Sequence, residues 1–431
     1  MAGRLRPIAA ATAAVARSSS ARLSVHLDHI EDRNLRHPAI PLVINTDQEG
    51  GNVVHIGAPA AVSPGNMAIG ATFSPVEAYR DAAATGQHLR AMGINVDNAP
   101  VVDVNTNPAN TADGPRSFGD HAALVAALSA ASVAGYQTNG VGATAKHFPG
   151  LGSTTVNTDT GIAVSDETRA QFMANDLPPF RATIAAGVDV IMAGHVVAPA
   201  LDSSGTPASM SEPIVTGLLR LQLGYDGVVI TDALSAQALA NIPSPQRAVD
   251  AIKAGDDELL MPDSLPDSIN AVLQAVQDGT ISEARIDKSI TRILTLKYRL
   301  GLLTNPYTTA DAITAHVGTP TQLNTMAGVA QRAITLVKND NDVLPLADNS
   351  GKHVLVTGWG FSSTQTLANE IAAHGVITQR VYTGGAPSPA VIAAAVAAAQ
   401  QSDVVVVTTN SAWGDPGQQQ LVNELVGNGK P

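Results

Sequence analysis

Short β-branched runs recur along the chain, and just past nearly every one stands an ionisable group: Asp47, Asp103, Lys146 with His147, His195, Asp232 and Asp263. Carboxylates can serve as nucleophiles or proton donors, while ammonium, guanidinium and imidazole groups donate hydrogen bonds to oxygen-rich ligands. Packing alone gives no reason for a polar group at each of these points. Where parallel strands alternate with helices, the C-terminal strand ends share one face, and side chains placed there converge on one mouth.

The elements needed to position these groups can be read from periodicity. Apolar runs at 41–46, 100–104, 141–145, 188–193, 227–231 and 258–261 read as strands, and helical stretches at 76–91, 121–138, 179–186 and 245–254 alternate with them. A last amphipathic helix fits 282–300, with Ile286, Ile290, Ile293, Leu294 and Leu300 near helical spacing. This is the pattern of repeated βα units, and the expected fold is an α/β (β/α)8 TIM-type barrel. Only six strands can be counted where closure needs eight, so the first two are expected to be missing, residues 1–39 offering no credible candidates. The expected domains are a poorly defined segment 1–39, the barrel-like domain 40–303, a linker 304–326 and a partial C-terminal α/β domain 327–431. In the last, strands at 353–357 and 404–408 flank helices at 367–373 and 389–399, after a helix and strand-like run at 327–346.

Composition narrows the function. Of 431 residues, 45% are hydrophobic and 14% charged, enough apolar material for a large core. The net charge of −12 disfavours nucleic acid and anionic membrane surfaces as partners. With no cysteine there is no disulfide, no thiolate catalysis and no Cys-ligated zinc. Histidines and carboxylates lack ligand spacing, so no metal and no cofactor are expected. The Ala-rich N-terminus, broken by Arg17 and Arg22, makes a poor signal peptide, and no apolar run is long enough to span a bilayer. Compartment and oligomeric state are left open.

At 146–152 the chain reads KHFPGLG, directly after a strand, and here it resembles glycoside hydrolase family 3, within it the β-N-acetylhexosaminidase branch. The resemblance extends through DQEGG at 47–51, APVVDVN at 99–105, PRSFG at 115–119, IMAGHV at 191–196, GYDGVVITDAL at 224–234 and ITLVKNDNDVLPL at 334–346. Seven motifs in order, over roughly residues 40–430, are far more specific than any one alone. The resemblance implies a retaining glycosidase that cleaves terminal β-linked N-acetylhexosamine, with Asp232 as nucleophile. It also implies that Asp47, Arg116, Lys146, His147 and His195 hold the sugar hydroxyls. The residue types suit this: a carboxylate at a rigid strand end can attack an anomeric carbon and later leave, and a second carboxylate can accept two hydrogen bonds from a diol.

One departure bears on the proton donor. Where the hexosaminidase branch carries an Asp-x-His dyad after KHFPGxG, this chain has Asn157-Thr158-Asp159. Asp159 is expected to act as the acid/base, giving hydrolysis rather than phosphorolysis and an optimum on the acidic side, since an ionised carboxylate repels phosphate. The alternatives are a β-glucosidase whose acid is Glu370 or Glu424 of the second domain, or a non-catalytic sugar-binding fragment. Blander readings apply elsewhere. An Asp after a strand is often a helix N-cap, and Asp103 and Asp263 read as such. His88, His121, His353 and His374 read as surface residues, and Asp189 as a cap or surface group. The Gly-x-Gly at 358–360 after a strand weakly suggests a nucleotide loop, but the third glycine is missing.

Overall fold

The computed structural model describes residues 40–431 apart from residue 111 and residues 346–350. The N-terminal segment 1–39, with the missing strands expected there, lies outside the described residues. Two compact units divide between Thr335 and Leu336.

The first unit holds a five-stranded parallel sheet in sequential order, β1 (Asn45–Thr46), β2 (Val96–Asp97), β3 (Gly142–Phe148), β4 (Val190–Ala193) and β5 (Val228–Thr231). The run at 258–261 takes the sixth place by a single bridge, Ile230 to Glu258. Its backbone still joins β5, because Thr231 N–H donates to Glu258 O and Leu234 N–H to Leu260 O. Among the described residues the sheet does not close. The strand expected at 100–104 forms earlier, as β2. Pro100 has no N–H to give a ladder, so 99–102 runs beside β3 with fewer bonds: Thr144 N–H to Ala99 O, Lys146 N–H to Pro100 O and Val102 N–H to Lys146 O.

Alternation along β4 shows how both faces are covered. Ile191 and Ala193 pack with Val133 of α3 (Ala122–Thr138), Phe180 of α4 (Leu177–Ala185) and Ile214 and Val215 of the π-helical segment Pro213–Gln222. Val190 and Met192 turn the other way and join Val96, Val228 and Ile230 against Leu296 and Leu300. These two leucines lie on and just after α7 (Glu283–Arg299), the helix expected at 282–300. A helix thus covers sheet surface that further strands would cover in a closed barrel.

Several of the remaining helices of this unit are capped by side chains. Ahead of β2, α1 (Asn66–Ala71) precedes α2 (Pro75–Met92), where Ser74 accepts from Glu77 N–H and Gly93, at φ 83°, ends the helix. Ser264 and Ser282 cap α6 (Leu265–Gln277) and α7, which follow α5 (Ser244–Ala254). The stretch 304–326, expected as a linker, carries α8 (Ala310–His316) and the start of α9 (Pro320–Ala333). Thr308 Oγ1 donates to Ala91 O and Gln322 Nε2 to Gln87 Oε1, tying this stretch to α2. Among the described residues no helix is long and apolar enough to cross a membrane.

The second unit is a three-stranded parallel sheet, β7 (Ile377–Tyr382), β6 (His353–Gly358) and β8 (Val404–Thr408) in that order, with α10 (Phe361–Ala373), α11 (Pro389–Gln400) and α12 (Pro416–Val426). No strand forms among the described residues of 334–346. Gly358 has a packing reason: a Cβ there would lie 2.0 Å from the Thr408 carbonyl oxygen. The nucleotide-loop reading loses its main residue to that constraint.

Candidate active site

The site is built from segments at the ends of all five strands, β1 to β5. Past β1, Asp47 and Glu49 stand two residues apart, and Lys146 near the end of β3 reaches both, with its Nζ 2.6 Å from Asp47 Oδ1 and 2.6 Å from Glu49 Oε1. Arg116, on a 3-10 turn at Gly114–Arg116, grips Glu49 through two bonds of 2.8 Å, and Asn98 Nδ2 holds the other oxygen of Asp47 at 3.1 Å. Lys146 and Glu49 are buried. Burial pushes the Glu49 carboxyl up, but Lys146 and Arg116 outweigh it and hold Glu49 well below the usual carboxylate range. Burial likewise disfavours the Lys146 ammonium, and Glu49 and Asp47 more than restore it. The result is a charge-paired patch in which the Asp47 carboxylate stays half-buried and reachable.

His147 lies at the centre. Its Nδ1 meets Asp103 Oδ2 at 2.7 Å, and Asp103 also accepts the backbone N–H groups of His147 and Leu151. Burial lowers the affinity of the imidazole for its second proton, but the Asp103 carboxylate prevails and raises it. Asp103, read above as a helix cap, therefore anchors the KHFPG loop. The N–H bonds its carboxylate accepts come from that loop, and no helix begins at this point.

Asp232 follows β5 and continues its ladder by donating N–H to Ala193 O at 2.8 Å. Its Oδ1 accepts from Ala233 N–H at 2.8 Å. Burial pushes the carboxyl up, while His147, the Ala233 N–H and Lys146 favour the anion, and the net shift is downward. His195 itself holds a neutral ring, because burial lowers its pKa. Its Nε2 lies 2.9 Å from Ala233 O, an acceptor only, so the proton sits on Nε2, and Ser209 Oγ donates to Nδ1 at 2.8 Å. Both nitrogens are thus spent on the protein, and the ring steadies the segment that carries Asp232.

Asp159 sits apart from this packing. Its N–H donates to Asn157 Oδ1 at 2.8 Å in an Asx-type turn, and its side chain is exposed. Ala238 N–H donates to Thr158 O at 3.0 Å, which ties the loop to the segment after Asp232. The Asp159 charge also reaches His195. Glu370 and Glu424 are exposed on α10 and α12 of the second unit.

The structure therefore gathers Asp47, Arg116, Lys146, His147, His195 and Asp232, with Asp159 on an adjoining loop. Sequence reasoning passed over Glu49, although it stands inside the quoted DQEGG run and its spacing from Asp47 was a usable signal. Other blander readings also change. His88 is buried on α2, and Asp189 is buried beside Arg299. Asp263 makes an ion pair with Arg247 at 2.8 Å.

A family model described as the glycosyl hydrolase family 3 N-terminal domain matches residues 14–296, and the chain belongs to that family. A protein named β-hexosaminidase A from Pseudoalteromonas piscicida is 37% identical over 338 residues, covering 72% of this chain and 56% of its own length. A β-N-acetylglucosaminidase/β-glucosidase from Cellulomonas fimi is 34% identical over 333 residues, covering 74% of this chain and 58% of its own. This chain thus spans a little over half the length of these curated relatives. Among solved structures, a family 3 β-N-acetylglucosaminidase from Paenibacillus sp. str. FPU-7 superposes with a TM-score of 0.82 at 34% identity, over 90% of this chain and 75% of that one.

Proposed function

We propose that this member of family 3 is a retaining glycosidase that removes terminal β-linked N-acetylhexosamine, N-acetylglucosamine foremost, from oligosaccharides or cell-wall fragments. The observation that carries the reading is Asp232 past the end of β5, set beside His147 and the pre-paired Asp47–Lys146–Glu49–Arg116 cluster. Asp232 attacks the anomeric carbon as the leaving oxygen takes a proton, and a water then displaces Asp232 from the glycosyl-enzyme. Asp47 accepts hydrogen bonds from two sugar hydroxyls, and Lys146, Arg116 and His147 donate to neighbouring oxygens. His195 acts through the Ala233 carbonyl, keeping the Asp232 segment in place. Asp159 supplies the first proton and later accepts one from the attacking water. Its exposed loop would have to close to bring the two carboxyls to the separation of about 5–5.5 Å that retention needs. The five parallel strands and the bridged sixth are read as the larger part of an eight-stranded barrel, a reading supported by their order and by the groups past their ends.

The sugar assignment rests on the relatives, which carry the names β-hexosaminidase and β-N-acetylglucosaminidase. A β-glucosidase is the second reading, favoured by the double name of the Cellulomonas fimi protein. Chromogenic N-acetyl-β-glucosaminide and β-glucoside, assayed across pH 4 to 8 with Asp232→Ala and Asp159→Ala, separate the two. Turnover of the first substrate, abolished in Asp232→Ala and restored by azide in Asp159→Ala, supports the assignment. Preference for the glucoside with a harmless Asp159→Ala transfers the acid elsewhere. A folded chain with no turnover of either substrate rejects the enzyme.

A further inference from the structure

Behind His147 lies a second buried carboxyl that the mechanism does not use. Asp113 is buried within the turn that leads to Arg116, and Arg116 N–H donates to the Asp113 carbonyl. Asp103, Asp113 and His147 each place one polar atom within 4.8 Å of the others. Their surroundings are unequal. Asp103 accepts His147 N–H, Leu151 N–H and His147 Nδ1–H, a donor set suited to a carboxylate. Among the described residues Asp113 has one weak donor, Asn110 Nδ2 at 3.3 Å on Oδ2, and its buried Oδ1 has none. Two adjacent buried carboxyls cannot both ionise cheaply, and the proton settles on the one with fewer donors.

We propose that Asp113 is a positioning residue: a neutral carboxylic acid whose O–H donates to Asp103 and so braces the Arg116 turn against the His147 loop. Asn110 adds a parallel strut, its Nδ2 donating to Leu151 O at 2.8 Å. The charges facing the pair agree with this placement of the proton. Burial and Asp103 push Asp113 well up, while His147 and Arg116 oppose this without prevailing. Asp176, packed under Gly150 with Glu167 nearby, is also pushed up to about 10, chiefly by burial, so it too stays neutral. His147 therefore has one carboxylate at its back, Asp103, and one in front, Asp232. A divalent cation at the Asp103–Asp113–His147 cluster is disfavoured because both Asp103 oxygens already accept N–H bonds.

This inference deepens the proposed function by explaining what fixes His147, but its test is read on the ring and needs no turnover. The full chain, labelled at histidine and assigned with His147→Gln, would be titrated by NMR as wild type, Asp113→Asn and Asp113→Ile. Asparagine keeps a neutral donor to Asp103, so the His147 titration should stay within about half a pH unit. Isoleucine removes the donor, leaves Asp103 more basic, and should raise the His147 midpoint by about half a unit or more, roughly a threefold gain in proton affinity. If Asp113 were instead ionised, Asp113→Asn would delete a negative charge and lower the midpoint by more than one unit. That result overturns the proposal, as does thermal stabilisation of the wild type by zinc or magnesium that Asp113→Asn abolishes. Should Asp113→Ile fail to fold, the sign in Asp113→Asn decides alone. An inactive chain whose His147 titrates as expected would sink the enzymatic reading and leave this one standing.

Discussion

The two halves of the site are built on opposite principles. Around Glu49 the charges are already paired, with a buried Lys146 bridging two carboxylates and Arg116 closing the set. Around Asp159 the polar structure is local, an Asx-type turn with a tether from Ala238. Burying paired charges costs desolvation that close contacts return only when geometry is tight. What that investment provides is donors and acceptors fixed before a ligand arrives, the condition under which electrostatic stabilisation is strongest. A proton donor has the opposite need, because it must reach the leaving oxygen and then withdraw for water. An exposed loop suits that task. Under the proposed function, the difference means that sugar recognition and nucleophile are preorganised, whereas proton transfer is left to loop closure.

The largest effect should come from the fixed half. Asp232→Ala should lower kcat for the N-acetyl-β-glucosaminide by roughly a thousandfold or more, because removing a nucleophile takes away the covalent route itself. Stopped assays with high enzyme concentration read this directly, and a loss below tenfold would dissolve the contrast. Asp159→Ala should follow, with a loss of about a hundredfold or more for substrates with poor leaving groups and much less for activated aryl glycosides. Equal losses for both kinds of leaving group would mean that Asp159 is not the proton donor.

Stability should separate the halves in the same way. Lys146→Met leaves Glu49 and Asp47 facing each other with Arg116 as the remaining cation on Glu49, and should cost about 3 kcal/mol or more in urea unfolding. Asp159→Ala, at an exposed turn, should stay within about half a kcal/mol. Comparable costs for the two variants would show that the loop is as tightly built as the cluster.

The sequence was informative where pattern and position coincide. The five strands fall at or near the expected runs, because strands buried on both faces read as unbroken apolar stretches such as Val190–Ala193. The ionisable groups past them were visible for the same reason. What could not be read were relations across the chain. Glu49 matters because Arg116 and Lys146 meet it from 67 and 97 residues away, a fact that no local window contains. Asp103 looks like a cap in its own segment, and only the arrival of the KHFPG loop gives it another task. His195 was expected to face sugar, but its partners Ser209 and Ala233 are set by tertiary placement. The helical character of 304–326 was hidden by its Thr and Pro residues, which turn out to be the caps and first turns of α8 and α9.

A last, smaller effect compares two buried carboxyls that lie inside and outside the site. Glu49 is held below the usual range, so its contribution to stability is present above about pH 4.5 and fades as pH falls. Asp81 on α2 has no cation; burial raises it from 3.8 to about 7, with a hydrogen bond from Ser63 as the only opposing influence. Between those two values the native state holds a proton that the unfolded chain releases. Stability from Asp81 is therefore complete below about pH 3.8 and is lost as pH rises toward 7. Asp81→Asn removes that proton exchange while keeping the shape. Relative to wild type it should gain stability from pH 5 to pH 8, by no more than about 4 kcal/mol over the full window. Paired urea titrations at the two pH values measure the difference. A wild-type minus variant gap that stays constant would mean that Asp81 is ionised in the fold, and that burial without a cation is better tolerated in the helical layer than the site's insistence on paired charges suggests.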